Sequence, residues 1–353
     1  MKTGWQSKPF DECIAKVKYT PKIPRQDFLD DGAFPIVSQE AEFINGYWNN
    51  EADLFKVSTP LVVFGDHTKV LKYIDFDFVL GADGVKILQP QDFLLPKFFY
   101  YQLQTAPLDS LGYARHYKLL KELQIAYPAK PEQHRIVAIL DEAFAGIATA
   151  RAAAEQNRQN ARALFERQLQ SVFSHLGEGW IEKPFEDCIE NVKYTIKIQR
   201  KDFLEEGEFP IVSQEAEFIN GYWKNAADVF NVATPVVLFG DHTKVLKYID
   251  FDFVLGADGV KILSPKQFLH PKFFFYALKA SPVKSLGYAR HYRLLKDLLI
   301  RYPKTVLQQS TIADRLEQFS EETQRLEALY QRKLEALDEL KQSLLHQAFS
   351  GQL

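Results

Sequence analysis

The sequence has few of the residues from which disulfide frameworks, metal clusters and membrane spans are built. Its 353 residues include two cysteines and one methionine. The single thiols Cys13 and Cys188 give no disulfide framework and no metal cluster, and we expect both to be plain buried thiols. No apolar run approaches the roughly 18 residues of a membrane span, and the N-terminal residues have no hydrophobic signal region. These absences predict a soluble, cytoplasmic protein.

Catalytic signatures are also missing. There is no glycine-rich phosphate loop, no GKS or GKT, and no GxGxxG after a strand, and GADG at 81–84 and 256–259 indicates a turn. The motif of an amino-methyltransferase, Asn or Asp before Pro-Pro and an aromatic residue, is absent. The pairs Asp66-His67 and Asp241-His242 leave an acid–base or metal-binding enzyme as a weak alternative. No second histidine stands at ligand spacing, and no nucleophile is indicated.

The charge is almost balanced. The chain has 43 basic and 46 acidic residues, for a net charge of −3. This balance excludes a simple polycation. Any binding of nucleic acid must therefore come from local clusters of basic residues or from the charge of a partner.

The strongest feature is a long internal repeat. FGDHTKVLKYIDFDFVLGADGVKIL stands at 64–88 and again, letter for letter, at 239–263. FPIVSQEAEFINGYW and SLGYARHY also recur, and the register of 175 holds from residues 4–128 to residues 179–303 without a gap. The period is far longer than that of a solenoid repeat, so each copy is a module. A stable core does not require such identity, which indicates one surface used twice.

Each module is predicted to be mixed, with strands dominant. TPLVVFGD is a β-branched and aromatic run bounded by Pro and Gly, and YIDFDFVLGADG alternates apolar and polar residues, which predicts a half-buried strand and a turn. PKFFYYQLQTAP predicts a short helix between prolines. SLGYARHYKLLKELQIAYP then predicts a loop, a polar helical turn and a last strand.

Two long helices are predicted after the modules, from residues rich in Ala, Glu, Gln and Arg. The predicted seam of the first helix is Ile136, Ala143, Ala150, Asn157 and Leu164, interleaved with Leu140, Ile147, Ala154 and Ala161. That of the second helix is Leu316, Thr323, Tyr330, Leu337 and Leu344, interleaved with Phe319, Leu326, Lys333 and Leu340.

The order module–helix–module–helix favours an intramolecular antiparallel pair with pseudo-twofold symmetry. A parallel coiled-coil homodimer tail remains the alternative. The predicted fold class is α+β, with two similar β-rich domains at 1–130 and 177–305 and two long helices at 131–176 and 306–353.

The loops that recur in both modules carry basic, aromatic and amide side chains. Such interleaving is typical of nucleic-acid surfaces, although a solvated charged loop has the same composition. The predicted DNA-binding residues are Lys18, Tyr19, Lys22, Ser38, Gln39, His67, Thr68, Lys69, Tyr113, Arg115 and His116, with their copies Lys193, Tyr194, Lys197, Ser213, Gln214, His242, Thr243, Lys244, Tyr288, Arg290 and His291.

The layout resembles a known family. PAKPEQHRIVAILDEAF at 128–144 is similar to the start of the central conserved region of specificity (S) subunits of type I restriction–modification systems, where P-x-x-E-Q-x-x-I-V recurs; residues 132–137 match its E-Q-x-x-I-V part. LKQSLLHQAFSGQL at 340–353 is similar to the C-terminal conserved helix of that family, and GYARHYK also resembles a stretch found in some members. The resemblance covers the whole chain.

This resemblance implies two target recognition domains, each of which reads one half of a bipartite DNA site. The helices would set the spacing and dock two methyltransferase (M) subunits, which carry S-adenosylmethionine and methylate adenine. Restriction (R) subunits would join and cut DNA with ATP and Mg. The chain itself would be non-catalytic and would hold no cofactor and no metal.

The chain departs from the family in one respect. The two domains usually differ, whereas here they are nearly the same, which predicts an interrupted palindromic site. A different class, a coiled-coil adaptor that binds two copies of one partner without DNA recognition, remains the rival interpretation.

Overall fold

The chain folds into two units, each of which contains one of the repeated modules. The computed structural model describes residues 4–82, 84–109, 112, 114–174, 179–281, 283–284, 287 and 289–353. One unit contains residues 1–154 with 332–353, and the other contains residues 155–331. Each unit therefore combines a module, the start of the long helix that follows it, and a stretch of the other long helix. The α+β fold class with two similar β-rich domains and two long helices is confirmed.

The first module and its helix contain eleven described strands and four described helices. The strands are β1 (Gln6–Pro9), β2 (Ile14–Ala15), β3 (Lys22–Ile23), β4 (Phe34–Val37), β5 (Gly46–Trp48), β6 (Leu54–Phe55), β7 (Leu61–Gly65), β8 (Leu71–Ile74), β9 (Phe78–Gly81), β10 (Val85–Pro90) and β11 (Gln124–Tyr127). The helices are α1 (Phe10–Cys13), α2 (Pro96–Leu103), α3 (Tyr117–Lys121) and α4 (Lys130–Ser174).

The second module repeats this order, except that a 3₁₀ turn, Phe185–Cys188, stands in place of α1. Its strands are β12 (Trp180–Pro184), β13 (Ile189–Glu190), β14 (Lys197–Ile198), β15 (Phe209–Val212), β16 (Gly221–Trp223), β17 (Val229–Phe230), β18 (Val236–Gly240), β19 (Leu246–Ile249), β20 (Phe253–Gly256), β21 (Val260–Pro265) and β22 (Leu299–Pro303). Its helices are α5 (Pro271–Ala280), α6 (Tyr292–Lys296) and α7 (Val306–Ser350).

Both modules have the same sheet topology. In the first module the strands pair in the orders β1-β11, β2-β10-β7-β8 and β3-β9-β4-β5, with β6 also paired to β9. The corresponding orders in the second module are β12-β22, β13-β21-β18-β19 and β14-β20-β15-β16, with β17 paired to β20. The repeat in sequence is thus a repeat in pairing.

The stretch YIDFDFVL is two strands, so the prediction of a single half-buried strand was wrong. β8 ends at Ile74, β9 begins at Phe78, and the two strands lie in different sheets. Between them, the carboxylate of Asp77 accepts a hydrogen bond at 2.7 Å from the backbone nitrogen of Val57. This bond fixes the turn by which the chain leaves the sheet of β8. All of β9 is buried, as expected for a strand that has parallel neighbours on both sides.

The predicted seam of α7 is right in only one of its two sets. Thr323 is buried, whereas Leu326 and Leu340 of the interleaving set are 37% and 47% exposed. Ser320 and Leu334, which adjoin the positions Phe319 and Lys333 of the interleaving set, are buried. Positions three and four residues apart lie on the same side of a helix, so spacing alone does not decide which one is covered.

The seam of α4 shifts along its length. Ala154 and Ala161 are buried as predicted, but Asn157 and Leu164 are exposed. Phe165, one residue further on, is buried instead. A straight helix with 3.6 residues per turn drifts by about 20° per heptad, which moves a strict seven-residue set off the covered face.

The two long helices run antiparallel, which agrees with the intramolecular pair that the chain order favours. In the second unit, Nη1 of Arg158 donates to Oε1 of Gln331 at 2.5 Å. Further along α4, Nε of Arg162 donates to Glu327 at 2.7 Å, so the numbers fall on α7 as they rise on α4. In the first unit, the early turns of α4 pack against the last turns of α7.

The hydrophobic core of each unit continues from the module into both helices. In the first unit Phe98 of α2 shares a cluster with Leu140 of α4 and Leu345 of α7. In the second unit Phe273 of α5 shares a cluster with Leu169 of α4 and with residues of α7. The modules therefore do not end where the helices begin.

Both cysteines are free and buried, as predicted. Burial raises the pKa of the Cys13 and Cys188 thiols to about 11, so they stay protonated and unreactive at neutral pH. Within the described part of the chain, no helix has the length and hydrophobicity that crossing a membrane requires.

A buried glutamine joins each long helix to its module. Oε1 of Gln133 accepts a hydrogen bond from the backbone nitrogen of Leu95 at 2.8 Å. Its Nε2 donates to the carbonyl oxygens of Phe93 and Pro128 at 2.8 and 2.9 Å. Gln309 makes the equivalent three bonds at the start of α7. Gln133 belongs to the PEQHRIV motif, so at least one residue of that motif has a structural role.

We expect Gln133→Ala to lower the free energy of unfolding of the first unit by about 2–4 kcal/mol, because the variant leaves three backbone groups without their side-chain partner. Glu142→Ala, at an exposed position of the same helix within the first unit, is the matched control and should change it by less than about 0.5 kcal/mol. Urea unfolding followed by circular dichroism measures both. Equal effects of the two variants would contradict the assigned role.

Candidate nucleic-acid interface

The first element of the candidate site is the tight turn between β7 and β8. We call residues 65–69 and their copy 240–244 the GDHTK turns. The backbone nitrogen of Gly65 donates to the carbonyl of Val70, and that of Lys69 donates to the carbonyl of Gly65, both at 2.8 Å. Lys69 and Lys244 have φ of 61° and 62° and are the only non-glycine residues with positive φ in the described ranges. This left-handed conformation normally favours glycine.

A buried aspartate in this turn holds two further segments. The backbone nitrogen of Asp66 donates to the carbonyl of Gly84, and its carbonyl accepts from the backbone nitrogen of His116, both at 2.7 Å. Oδ1 of Asp66 accepts from the backbone nitrogen of Tyr117, also at 2.7 Å. Asp241 makes the same three bonds in the second module. The GADG turn and the ARHY segments (114–117 and 289–292) are thereby fixed beside each GDHTK turn.

The same bonds bear on the enzyme alternative. Asp66 and Asp241 are 2% and 4% exposed, and their oxygens accept hydrogen bonds from backbone nitrogens. A carboxylate held in this way positions loops. In the described ranges, no three His, Cys, Asp or Glu side chains are grouped so that they could hold a metal ion.

The second loop of the site follows β4. We call residues 38–45 and their copy 213–220 the SQEAEFIN loops. Oε1 of Gln39 accepts from the backbone nitrogen of His67 at 3.1 Å, and the carbonyl of Gln39 accepts from Oγ1 of Thr68 at 2.5 Å. Gly84, at φ 90°, leaves the room that the Gln39 amide occupies. Gln39 and Thr68 therefore hold the two loops together, as Gln214 and Thr243 do in the second module.

Four of the predicted DNA-binding residues lie inside the modules. Ser38 and Ser213 are 3% and 5% exposed, and His116 and His291 are 1% exposed. Nδ1 of His116 lies 3.0 Å from the carbonyl oxygen of Asp66. Direct contact with DNA does not fit this burial, because residue type alone does not reveal in which direction a side chain points. The proposal below omits these four residues.

A fixed aromatic ring with a lysine beside it stands next to the two loops. The hydroxyl of Tyr19 accepts a hydrogen bond from the backbone nitrogen of Ile87 at 2.9 Å, and Nζ of Lys22 lies 5.5 Å from the centre of the ring. Tyr194 and Lys197 repeat this arrangement, with 5.4 Å between the ammonium and the ring centre. Both rings are 40% exposed. The pairs offer a stacking surface and a cation at one place.

In the second module these elements line a cleft of about 380 Å³. The residues around it are Lys197, Gln214, Asp241, His242, Asp258, Gly259, Lys261 and Arg290. Four of them, Lys197, Gln214, His242 and Arg290, are predicted DNA-binding residues. Each of the eight has the same residue type 175 positions earlier in the first module. The fold therefore brings together four of the predicted residues that are far apart in the chain.

A second cleft of about 440 Å³ adjoins the first. It shares Asp241, Lys261 and Arg290 with the first cleft and adds Arg293 and Lys296, of which Lys296 is paired with Glu186 at 2.7 Å. Nζ of Lys261 lies 5.3 Å from the centre of the Tyr292 ring. Sequence reasoning missed Lys261 and its counterpart Lys86, although each is a charged residue at a partly covered position inside a β-strand, which is an unusual place for a lysine.

Of the other predicted residues, some are exposed and some lie outside the described ranges. Lys18, Lys193 and Arg115 are exposed. Tyr113 and Tyr288 lie outside the described residues. The assignment of all these residues to a DNA surface stays a prediction.

Comparison with known proteins finds a similar domain for the first module. Residues 3–156 match the family described as "Type I restriction modification DNA specificity domain". The chain is 29% identical over 134 residues to the type I restriction enzyme EcoR124I/EcoR124II specificity subunit of Escherichia coli. That match spans about a third of each protein, 34% of this chain and 33% of the relative.

Solved structures share the fold over the whole chain. A chain from the structure described as "Structural basis underlying complex assembly and conformational transition of the type I R-M system" has a TM-score of 0.76 at 17% identity and covers 100% of this chain and 99% of its own. The HsdS subunit of Thermoanaerobacter tengcongensis has a TM-score of 0.54 at 16% identity, with 100% and 98% covered. Residues 3–156 thus resemble the DNA specificity domain of type I restriction–modification systems, and the whole chain shares its fold with these two solved structures.

We expect Lys244→Gly to raise the free energy of unfolding by about 0.5–1 kcal/mol, because glycine adopts the left-handed backbone of this turn without the cost that a side chain incurs. The matched variant is Lys224→Gly, at an exposed lysine whose backbone is not left-handed, and it should be neutral or destabilising. Thermal unfolding of both variants provides the measurement. Destabilisation by Lys244→Gly as large as that by Lys224→Gly would show that the strain at Lys244 is negligible.

Proposed function

We propose that the chain is the DNA sequence-specificity subunit of a type I restriction–modification enzyme and that each module reads one half of a bipartite site in double-stranded DNA. The chain is not an enzyme by itself. It docks two M subunits, which supply S-adenosylmethionine and methylate adenine, and through them R subunits, which use ATP and Mg. The protein acts in the cytoplasm, where the DNA is.

The observation that carries this proposal is the cleft of the second module. Lys197, Lys261 and Arg290 surround it, and the polar side chains of Gln214 and His242 lie among them. Ammonium and guanidinium groups bind phosphates, and guanidinium and amide groups pair with base edges. Since all eight lining residues are of the same type 175 positions earlier in the sequence, we infer that both modules carry the same recognition surface.

The groups around the cleft are suited to different parts of the duplex. Lys197 and Lys261 carry compact charges beside aromatic rings and are suited to phosphates. Arg290 is exposed, and its planar guanidinium is suited to a guanine edge, which presents O6 and N7 as a pair of acceptors. Asp241 lies beneath them and holds the ARHY segment in place through its backbone contacts.

The coiled-coil adaptor remains the second candidate function, because a pair of antiparallel helices can also dock partners. The two functions differ in DNA binding. An adaptor would bind no DNA even with M subunits present, whereas the specificity subunit binds a defined sequence.

We expect Arg290→Ala to weaken binding of the M-containing complex to its site by about 1–3 kcal/mol, because a guanidinium paired with a base edge contributes that much. Lys261→Ala should weaken binding to all sequences alike and reduce the salt dependence by about one phosphate contact. Lys333→Ala, at an exposed position of α7, is the control. Fluorescence anisotropy over a range of salt concentrations measures all three variants.

Arg115→Ala tests the same surface in the first module, and the double variant Arg115→Ala/Arg290→Ala tests both modules. Unchanged binding and methylation in both single variants and in the double variant would remove these arginines from the interface.

The identity of the two surfaces predicts the symmetry of the site. Modules with the same groups should read the same bases, and the pseudo-twofold order of the chain predicts inverted half-sites, as for dimeric repressors. The target is therefore an interrupted palindrome. Differences between the modules near these loops, such as Pro21 and Ile196 or Asn49 and Lys224, leave room for one relaxed position.

Methylome sequencing of a strain that expresses the chain with M subunits tests this. We expect methylated adenines at an interrupted palindrome, one on each strand at matching positions. A strain without M subunits is the control and should show no such methylation. Two unrelated half-sites would mean that identity of the surface does not determine identity of the bases.

A further inference from the structure

Each module contains one lysine that points into its core. Lys72 lies on β8 and Lys247 on β19, and they are 2% and 4% exposed. In both strands the buried residues alternate, so that this lysine shares the covered side with the isoleucine two positions later. Burial of a charge is costly unless the charge is paired and hydrogen-bonded. Neither the fold nor the cleft described above explains why a lysine stands here twice.

The acceptors of this ammonium all belong to the SQEAEFIN loop. Nζ of Lys72 lies 2.5 Å from the carbonyl of Glu42, 3.4 Å from that of Phe43 and 3.0 Å from Oδ1 of Asn45. The corresponding distances from Lys247 are 2.5, 3.4 and 3.2 Å. An ammonium has three donors, so one loop uses the full capacity of this group.

The buried lysine carries the charge that these three hydrogen bonds need. Burial lowers the pKa of Lys72 to about 8, while the carboxylates of Glu40 and Glu42 act in the opposite direction. Lys247 has the same shift, opposed by Glu215 and Glu217. The lysine is therefore mainly charged at neutral pH.

The loop held in this way continues directly into the candidate interface. Oδ1 of Asn45 also accepts from the backbone nitrogen of Ser38 at 2.8 Å, so the ammonium and both ends of the loop meet at one oxygen. The next residue, Gln39, bonds to His67 and Thr68 of the GDHTK turn. The loop is thus fixed on one side by a buried cation and on the other side holds the turn.

We propose that Lys72 and Lys247 are positioning residues for DNA recognition: each clamps its SQEAEFIN loop, and through Gln39 or Gln214 the loop fixes the GDHTK turn of the same module. This inference rests on the proposed function. The clamp acts within one module, so each lysine governs the sharpness of base preference at one half-site and leaves the other half-site unchanged.

A different role would be that of an apolar filler, in which the four methylene groups pack in the core and the ammonium contributes nothing. Methionine and arginine separate the two roles. Lys72→Met keeps a linear chain without donors, whereas Lys72→Arg keeps the charge and the donors but adds bulk. A clamp is better preserved by arginine, and a filler is better preserved by methionine.

The test is selection from a pool of random-sequence duplex DNA by the full chain together with M subunits of the same system. The variants are Lys72→Met, Lys72→Arg and Lys247→Met, and Lys16→Met, at an exposed lysine of the first module, is the control. We expect Lys72→Met to reduce the preference for the best base by about tenfold or more at one half-site, the loss of about one base contact. Because the half-sites of the predicted palindrome are equivalent, Lys247→Met should give the same result, one sharp and one blurred half-site, and Lys72→Arg should retain most of the preference.

Two equally sharp half-sites for Lys72→Met and Lys247→Met would overturn the proposal, as would better function of Lys72→Met than of Lys72→Arg. Failure of the wild-type chain to enrich any sequence would instead refute the proposed function.

Hydrogen exchange of the chain tests the clamp without DNA. Amides of the SQEAEFIN loop should exchange at least about tenfold faster in Lys72→Met, with those of β7 and β9 unchanged, because local opening is detected separately from global unfolding. Uniformly faster exchange throughout the first module would show a general role in folding and would also overturn the proposal.

Discussion

A buried aspartate at the end of a strand holds the candidate interface of each module together. Asp66 bonds to the GADG turn and to the ARHY segment through backbone groups, and Asp241 repeats this in the second module. Loops are normally the most variable and mobile parts of a domain. Here three of them are tied to one residue, so the basic side chains that they carry keep fixed positions relative to one another. A recognition surface made from loops needs such a constraint, because loosely held groups lose free energy when binding orders them.

The sequence predicted the large elements well. A helical pattern over about 45 residues is a strong signal, and the long helices α4 and α7 lie within a few residues of the predicted ranges. The strand prediction for YIDFDFVL was wrong because two short strands of matching parity have the same alternation as one long strand. The seam of α7 was partly wrong because the module also covers this helix: Phe319 packs on a cluster that includes residues of α5, and Ser320 is buried beside it.

The sequence indicated which loops form the candidate site, but it did not indicate which of their side chains are buried. Arg290 and His242 of the repeated loops line one cleft together with Lys197, the first residue of β14. His291 has the same kind of sequence context and is nevertheless buried, because its backbone and ring bond to Asp241. These distinctions depend on contacts between segments about 50 residues apart, which no local pattern contains.

The division of the chain into units has a consequence for how the protein is made. The second unit uses one continuous stretch, 155–331, whereas the core of the first unit includes Leu345 and Ala348. During synthesis every residue of the second unit is therefore added to the chain before residues 332–353 of the first unit. The module that is translated first is the one whose core is completed last, and until then its face toward α7 stays uncovered. Such a delay exposes apolar surface in a large protein, where folding intermediates are prone to aggregate.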